Sequence, residues 1–193
     1  MELEGNSGRL VSTLVQPVLF PLPIVGLDPL PMALVNDLLE RWGHRLGSCH
    51  RPFTQQGWGL SHQGKVVSVA VSASVVGAIV GGYKRGELVE CARLCSAPGQ
   101  SWATRVMLRL WREACACLWP DWEVLAAISY SQNAHHRGDI YRFDGWTRMS
   151  EDCGSSGGGT WSRQRSATDA VSGKKTLWLW RYARRDGNGI GRE

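Results

Sequence analysis

Apolar residues recur at helical spacing in two stretches of the chain. The first set comprises Leu34, Val35, Leu38, Leu39 and Trp42. The second set lies between residues 101 and 119 and comprises Val106, Leu110, Ala114 and Cys117. Residues three or four positions apart share one face of a helix, so both sets predict amphipathic helices. We expect the first helix to end at Gly43 or Gly47, and Pro120 to end the second.

Other stretches carry the β-branched and apolar residues that favour strands. The predicted strands span residues 58–62, 65–74, 87–95, 122–131, 146–149 and 174–182. Gln63 and Gly64 predict a turn between the first two strands. Residues 122–131 are almost all apolar, which is typical of a central strand that is buried on both faces. A short helix over residues 133–143, ended by Gly145, should follow that strand.

This order of elements predicts one mixed α/β (α+β) domain, in which a central sheet is flanked by helices. A chain of 193 residues is long enough to bury one core. Residues 1–30 include Pro17, Pro21 and Pro23 and predict an extended N-terminal segment. Residues 31–183 should form the single domain, and residues 184–193 a basic tail.

The charge of the chain is concentrated near its C-terminus. Residues 162–193 hold eight basic and three acidic side chains, which accounts for the whole formal net charge of +5. A polyanionic partner such as nucleic acid is one interpretation, and a solubilising tail is the other. The ten tryptophans have two interpretations as well, which are packing in the core and stacking on bases.

Composition excludes several classes of protein. Hydrophobic residues at 43% and charged residues at 20% are ordinary for a globular chain and exclude wholesale disorder and collagen-like architectures. The six cysteines lack CxxC spacing, so we expect free thiols in a reduced, cytoplasmic protein and no cysteine metal site. No signal peptide and no membrane-spanning segment is predicted, because the apolar stretch over residues 10–25 is short and broken by proline.

Two segments could carry chemistry. Residues 97–100, Ala-Pro-Gly-Gln, join a predicted strand to a predicted helix, and the free N–H groups of a helix N-terminus can bind phosphate. The alternative is a plain connection. In the second segment, Asn133, Arg137 and Tyr141 are four residues apart and should share one face of the short helix. Tyr141 is then either a general acid or a packed aromatic residue with a hydrogen-bonded hydroxyl.

These segments together resemble the GNAT (Gcn5-related N-acetyltransferase) superfamily. The resemblance covers about residues 30–150 and rests on Pro-Gly-Gln-Ser-Trp-Ala-Thr before the long helix and on Tyr141-Arg-Phe-Asp-Gly145-Trp146 after the apolar strand. It implies a GNAT-like twisted sheet and acetyl-CoA or a related acyl donor. The chain departs from the family's [QR]-x-x-G-x-[GA] loop, since residues 100–104 (Gln-Ser-Trp-Ala-Thr) lack the central glycine and the usual loop length, and the bulky Trp102 stands where a backbone should approach pyrophosphate. The donor-binding residues that the resemblance implies are Cys95, Ser96, Gln100, Ser101, Trp102, Ala103, Thr104 and Asn133.

A narrower pattern is similar to the bacteriophage Mom family of DNA-modifying proteins. It consists of Glu87, Leu88, Arg93 and Leu94, then residues 128–130 (Ile-Ser-Tyr), then His136, Gly138, Tyr141 and Trp146. This resemblance implies conversion of the exocyclic amine of adenine in DNA to a carbamoylmethyl form, which protects phage DNA from restriction. It implies four catalytic residues, namely Tyr141, His44, Ser129 and Arg93. The nucleic-acid-binding residues would be Arg137, Trp161, Arg163, Arg165, Lys174 and Lys175.

The sequence therefore carries three functional hypotheses. The first is a Mom-like transferase that modifies adenine in DNA, in duplex or flipped form, within a bacterial host cell. The second is an acyl-CoA-dependent N-acetyltransferase of a small amine or a protein. The third is an inactive GNAT-like module that binds nucleic acid. The requirement for a metal and the oligomeric state stay open, with a dimer as one option. The glycine-rich residues 154–159 are either a flap over the site or a linker.

Overall fold

A computed structural model of the chain describes residues 25–153 and 174–182. The described part begins with strand β1 (Val25–Leu30) and helix α1 (Met32–Arg41). A hairpin of β2 (Gln55–His62) and β3 (Lys65–Ala73) follows, and then the small hairpin of β4 (Ile79–Val80) and β5 (Tyr83–Lys84). The second half contains β6 (Leu88–Ser96), α2 (Ser101–Leu110), β7 (Ala126–Gln132), α3 (Asp139–Phe143), β8 (Thr147–Ser150) and β9 (Lys175–Arg181).

One seven-stranded sheet organises these elements, in the order β1-β2-β3-β6-β7-β9-β8. Every neighbouring pair is antiparallel except β6 and β7, which are parallel. A parallel pair needs a crossover connection, and α2 supplies it. The predicted mixed α/β fold with a mixed sheet flanked by helices is therefore confirmed.

Helices cover both faces of the sheet. On one face, Val35 and Leu39 of α1 pack with Val69 and Val71 of β3. On the other face, Met107 and Leu108 of α2 pack with Val89 of β6 and with five tryptophans. Those tryptophans are Trp58, Trp111, Trp119, Trp146 and Trp178. Trp122 and Trp180 pack against the same cluster and Trp42 against the cluster of α1, so core packing is the role of most tryptophans in the described residues.

The two predicted amphipathic helices are present, with one difference in geometry. The helix predicted over residues 34–42 is α1, and Gly43 follows it with a φ angle of 68°. The predicted helix 101–119 is α-helical only to Leu110, after which Trp111–Cys115 form a π-helical turn and Ala116–Leu118 a 3-10 turn. The turn predicted at Gln63 and Gly64 is confirmed, since both have positive φ angles of 50° and 74°.

The helix predicted over residues 133–143 is wrong in its first half. The backbone N–H groups of His135 and His136 donate to the carbonyl oxygen of Gln132, which closes a turn at the end of β7. Gly138 then adopts a left-handed conformation, and only Asp139–Phe143 are helical. Asn133, Arg137 and Tyr141 consequently do not share a helix face. The predicted strand 122–131 begins later than expected, at Ala126.

Several predictions fall on residues outside the described part of the chain. They concern residues 1–24 of the N-terminal segment, the glycine-rich residues 154–159, Trp161, Arg163, Arg165 and the basic tail 184–193. None of the helices within residues 25–153 combines the length and the apolar composition that crossing a bilayer requires.

Candidate active site

The central parallel strands pair along only part of their length. Leu88–Cys91 of β6 pair with Ala126–Ser129 of β7. Beyond these residues, β6 stays paired with β3 as far as Ser96, and β7 stays paired with β9 as far as Gln132. The register between β3 and β6 also shifts between Val71 and Ser72, and such a bulge bends a strand. The two strands therefore diverge at their carboxyl ends.

A cleft of about 840 Å³ opens at this divergence. We call it the central cleft, and its walls are residues 91–96 of β6, residues 129–132 of β7, the loop after α1 and the segment that leads into α3. The carboxyl ends of parallel strands are where ligands usually bind in open α/β sheets. The volume lies in the range of small-molecule sites. This cleft is the candidate active site.

Tyr141 and Ser129 form a buried hydroxyl pair in the wall of the central cleft. Their side-chain oxygens are 2.8 Å apart, and Ser129 Oγ donates to the carbonyl oxygen of Cys91 at 3.1 Å. Because that bond uses the proton of Ser129, Ser129 Oγ accepts the hydrogen bond from Tyr141. Burial raises the pKa of the Tyr141 hydroxyl, and the nearby Cys91 raises it further. The phenol is therefore protonated at neutral pH and has a proton to donate.

Aromatic packing holds Tyr141 in place. Its ring stacks on Trp178, with ring centroids 5.6 Å apart and an interplanar angle of 20°, and meets Trp146 edge on at 5.5 Å. Trp178 is anchored in turn, because its Nε1 donates to Ser131 Oγ at 2.8 Å. Gly138 lies directly over this indole, and only a residue without a side chain fits there. Tyr141 is therefore held rigidly against β7 and β9.

Arg93 connects β6 to the loop after α1. Its guanidinium donates to the carbonyl oxygens of Gly47 at 3.3 Å and Ser48 at 3.2 Å, and also to that of Ala92 at 2.9 Å. The side chain is buried, yet Arg93 lines the central cleft. These contacts fix the position of the loop that carries His44.

His44 lines the same cleft as a neutral imidazole. Burial, together with the positive charges of Arg93 and Arg45, lowers its pKa to about 4. His44 Nδ1 accepts the backbone N–H of Leu46 at 3.3 Å. A neutral imidazole carries one proton, so the proton of His44 is on Nε2.

The predicted donor-binding residues divide into two groups. Cys95, Ser96 and Thr104 line the central cleft, and the hydroxyls of Ser96 and Thr104 are 2.7 Å apart. The other predicted residues near the start of α2, Gln100, Ser101, Trp102 and Ala103, are not in its wall. The Trp102 indole bonds to Gln100 Oε1 at 2.7 Å and packs edge on against His62, while Ala103 is buried in the core.

The remaining predicted residues have separate locations. Asn133 donates to the carbonyl oxygen of Glu151 at 2.6 Å and accepts from Thr176 Oγ1 at 2.8 Å, so it links the end of β7 to β9 and lies outside the cleft wall. Arg137 lines the cleft. Lys174 pairs with Asp152, and Lys175 stands opposite Gln132 in the sheet. The functional roles assigned to all these residues stay predictions.

Sequence reasoning missed other residues of the cleft wall. Cys91 and Gln132 line it, as do His136, which the sequence placed only in the Mom-like pattern, and Asp139, which is the one carboxylate among the lining residues of the described part. Glu90, adjacent to the cleft on β6, is buried and pairs with Arg51 at 2.5 Å. The sequence carried no local signal for the lining of β6, because residues 91–96 all line the cleft and the opening depends on where β6 and β7 stop pairing. Within residues 25–153 and 174–182, no three His, Cys, Asp or Glu side chains form a metal-binding group.

Comparison with solved structures identifies the fold. A probable acetyltransferase from Staphylococcus epidermidis matches with a TM-score of 0.53 at 6% identity, over 82% of this chain and 99% of that one. An acetyltransferase from Salmonella typhimurium, solved with its cofactor acetyl-CoA, matches with a TM-score of 0.53 at 13% identity, over 84% and 96%. An acetyltransferase described as a GNAT family member, from Desulfovibrio desulfuricans, has a TM-score of 0.50 at 12% identity, over 81% and 98%.

These likenesses show that the chain has the fold of GNAT acetyltransferases, as the sequence predicted. No protein-family model and no curated protein matches the chain by sequence. The narrower resemblance to the Mom family is supported by none of these comparisons and stays a prediction.

Proposed function

We propose that this chain is an acyl-CoA-dependent N-acyltransferase that works in the central cleft. The observation that carries the proposal is the divergence of β6 and β7 with the Tyr141 hydroxyl in the wall of the opening. The fold of acetyltransferases supports a transferase, and one of the matched structures contains acetyl-CoA as its cofactor. These findings favour the second of the three hypotheses over modification of adenine.

The cleft suits an extended acyl donor. Where β6 and β7 diverge, the backbone edges over residues 92–96 and 130–132 face the opening instead of each other. Such edges bind extended chains through main-chain hydrogen bonds, and the pantetheine arm of coenzyme A is an extended chain with two amides. Residues 92–96 and 130–132 would therefore hold the arm, beside the hydroxyls of Ser96 and Thr104. When bound, the donor supplies a thioester carbonyl carbon as the electrophile.

Tyr141 is the proposed general acid. In acyl transfer the amine nitrogen forms a bond to the carbonyl carbon, the carbon–sulfur bond breaks, and the leaving thiolate takes up a proton. The protonated phenol of Tyr141 can donate that proton. The phenolate that remains can accept a hydrogen bond from Ser129 Oγ, 2.8 Å away, until it takes up a proton from solvent. The proton that leaves the amine has His135, His136 and Asp139 as acceptors in the cleft wall.

The proposed role of His44 is that of a hydrogen-bond donor and not that of a base. Its Nδ1 lone pair is occupied by the Leu46 N–H, and its low pKa keeps the ring neutral. The N–H at Nε2 is then a hydrogen-bond donor in the cleft wall. Such a donor stabilises negative charge that develops on a carbonyl oxygen. Arg93 is a positioning residue for His44, because it holds the carbonyl oxygens of the same loop.

Thiol release from acetyl-CoA tests this proposal, with a panel of small amines and peptide N-termini as acceptors. We expect turnover that falls about 100-fold or more in Tyr141→Phe, which is the typical effect of losing a general acid. Coenzyme A binding, measured by calorimetry, should persist in this variant. Tyr83→Phe is the matched control, since Tyr83 lies in β5 outside the cleft, and its turnover should equal that of the wild type.

Two outcomes would overturn the proposal. The first is that the folded protein does not bind coenzyme A. The second is a new modified deoxyadenosine, found by mass spectrometry of nucleosides from treated DNA, without any acetyl-CoA turnover. That result would favour the predicted adenine-modifying activity.

A further inference from the structure

A second cavity, of about 440 Å³, adjoins the central cleft. Its lining residues, which define what we call the arginine cavity, are Arg137, Asp139, Arg142, Trp146, Arg148 and Trp178. The three arginines come from three different places in the fold, namely the turn after β7, α3 and β8. Arg137 and Asp139 also line the central cleft. The two cavities therefore meet at the segment that carries Tyr141.

The charges around the arginine cavity are unbalanced. Three guanidinium groups face one lining carboxylate, Asp139, which pairs with Arg142 at 3.1 Å. Arg148 has a second carboxylate partner, Glu151. Arg137 has no ion-pair partner among the residues that the structure describes. The cavity therefore retains a positive charge.

Donor groups remain available on these side chains. A guanidinium has five N–H donors, and each of these ion pairs uses only part of them. The side chains of Arg142 and Arg148 are 65% and 59% exposed, so they can turn towards a ligand at little cost in burial. The geometry of a guanidinium matches phosphate and carboxylate oxygens in a bidentate manner.

The floor of the arginine cavity is rigid. Trp146 and Trp178 are buried. The indole N–H of Trp146 donates to Asp144 Oδ2 at 3.0 Å, and that of Trp178 donates to Ser131 Oγ at 2.8 Å. A concave site of this volume with a fixed floor suits a small ligand better than the extended backbone of a nucleic acid duplex. The site therefore combines a fixed apolar floor with a rim of cationic donors.

We infer that the arginine cavity binds a small polyanion through phosphate or carboxylate oxygens, held by Arg137, Arg142 and Arg148. This inference rests on the cavity and not on the proposed acyl transfer. Arg137 borders both cavities, so the bound anion lies next to the ligand of the central cleft. Phosphate esters and polycarboxylates share the chemistry that the arginines recognise.

Calorimetry at low ionic strength tests the inference, with pyrophosphate as one probe and citrate as the other. We expect saturable binding of at least one probe with a 1:1 stoichiometry, and the tighter probe identifies the phosphate or the carboxylate source. Arg137→Gln, Arg142→Gln and Arg148→Gln should each weaken binding about tenfold, since each removes charge-assisted hydrogen bonds. Circular dichroism and thermal melting of each variant check that the fold is kept.

Arg105→Gln is the matched control, because Arg105 is an exposed arginine of α2 that lines neither cavity. Its binding constant should equal that of the wild type. Three results would overturn the inference: neither probe binds, Arg105→Gln weakens binding as much as the cavity variants do, or a DNA duplex binds while both small probes fail. Because no acyl donor is present in this experiment, its outcome is independent of whether acetyl-CoA is turned over.

Discussion

Gly138 is the residue on which the packing of Tyr141 depends most directly. Its φ angle is 73°, and a Cβ atom there would lie 2.2 Å from Cζ2 of Trp178. Gly64 has nearly the same φ angle, 74°, but a Cβ atom there would have no neighbour within 4 Å. The two glycines therefore share the backbone cost of substitution and differ in the steric clash.

We expect Gly138→Ala to lower the free energy of unfolding by about 1–3 kcal/mol more than Gly64→Ala does, because a rigid indole must move. Urea unfolding of both variants measures the difference. The displaced Trp178 should also move Tyr141, so turnover should fall in Gly138→Ala and not in Gly64→Ala. Equal destabilisation of the two variants would contradict the packing argument.

At the scale of single residues, the sequence predicted part of the cleft wall. Tyr141, Ser129, Arg93 and His44 were inferred from family resemblance, and the structure places all four around one cleft. Their catalytic roles are not tested by this placement. The sequence could not predict which ring nitrogen of His44 carries the proton, because the hydrogen bond from the Leu46 N–H to Nδ1 forms only in the folded loop.

Asp144, at the end of α3, connects two elements through a buried ion pair. Its Oδ2 atom lies 2.9 Å from Nε of Arg112 in the π-helical turn, and the same oxygen accepts the Trp146 indole N–H. Arg112 in turn lies over the Trp180 ring, 3.7 Å from its centroid. The Asp144 side chain is fully buried, and its other oxygen, Oδ1, accepts from Nε of Arg109 at 3.1 Å, so two arginines and one indole compensate for its lost water.

Asp144→Asn should therefore cost about 3 kcal/mol of unfolding free energy, because it leaves the buried Arg112 with only the exposed carboxylate of Glu113 as a counter-charge. Asp37→Asn is the control, since Asp37 pairs with Arg41 on the exposed face of α1, and it should cost less than about 1 kcal/mol. Urea unfolding measures both. A cost for Asp144→Asn as small as that of the control would mean that the pair does not stabilise the fold.

At the scale of elements, helices were predicted correctly where apolar residues recur strongly at helical spacing and wrongly where this periodicity is weak. The apolar faces of α1 and α2 were evident from spacing, because burial of one helix face selects residues three and four apart. The helix predicted over residues 133–143 rested only on the four-residue spacing of Asn133, Arg137 and Tyr141. There, the hydrogen bonds from His135 and His136 to Gln132 and the left-handed Gly138 decide the conformation.

The sheet as a whole depends on β9, which lies between β7 and β8 although it is the last strand in the described part of the chain. It pairs with β7 from Ala126 to Gln132 and contributes Leu177, Trp178 and Leu179 to the core. A chain that ends at residue 173 should lose cooperative folding, because β7 loses a neighbour and the cleft loses the support of Trp178.

Thermal melting with near-ultraviolet circular dichroism tests this expectation. A chain that ends at Tyr182 is the control, since it retains every described strand, and we expect it to melt cooperatively. Cooperative melting of the chain that ends at residue 173 would show that β9 is not required for the fold.

The sequence by itself determined the mixed α/β class, both amphipathic helices, the β2–β3 turn and the resemblance to the GNAT fold. These features depend on local patterns, because burial of one face and the conformational preferences of glycine act over a few residues. Only the tertiary structure decided where β6 and β7 diverge, that Gly138 supports Trp178 behind Tyr141, and that three arginines surround one cavity. Each of these depends on strand register and on contacts between distant residues, such as Arg93 and Gly47, which no local pattern encodes.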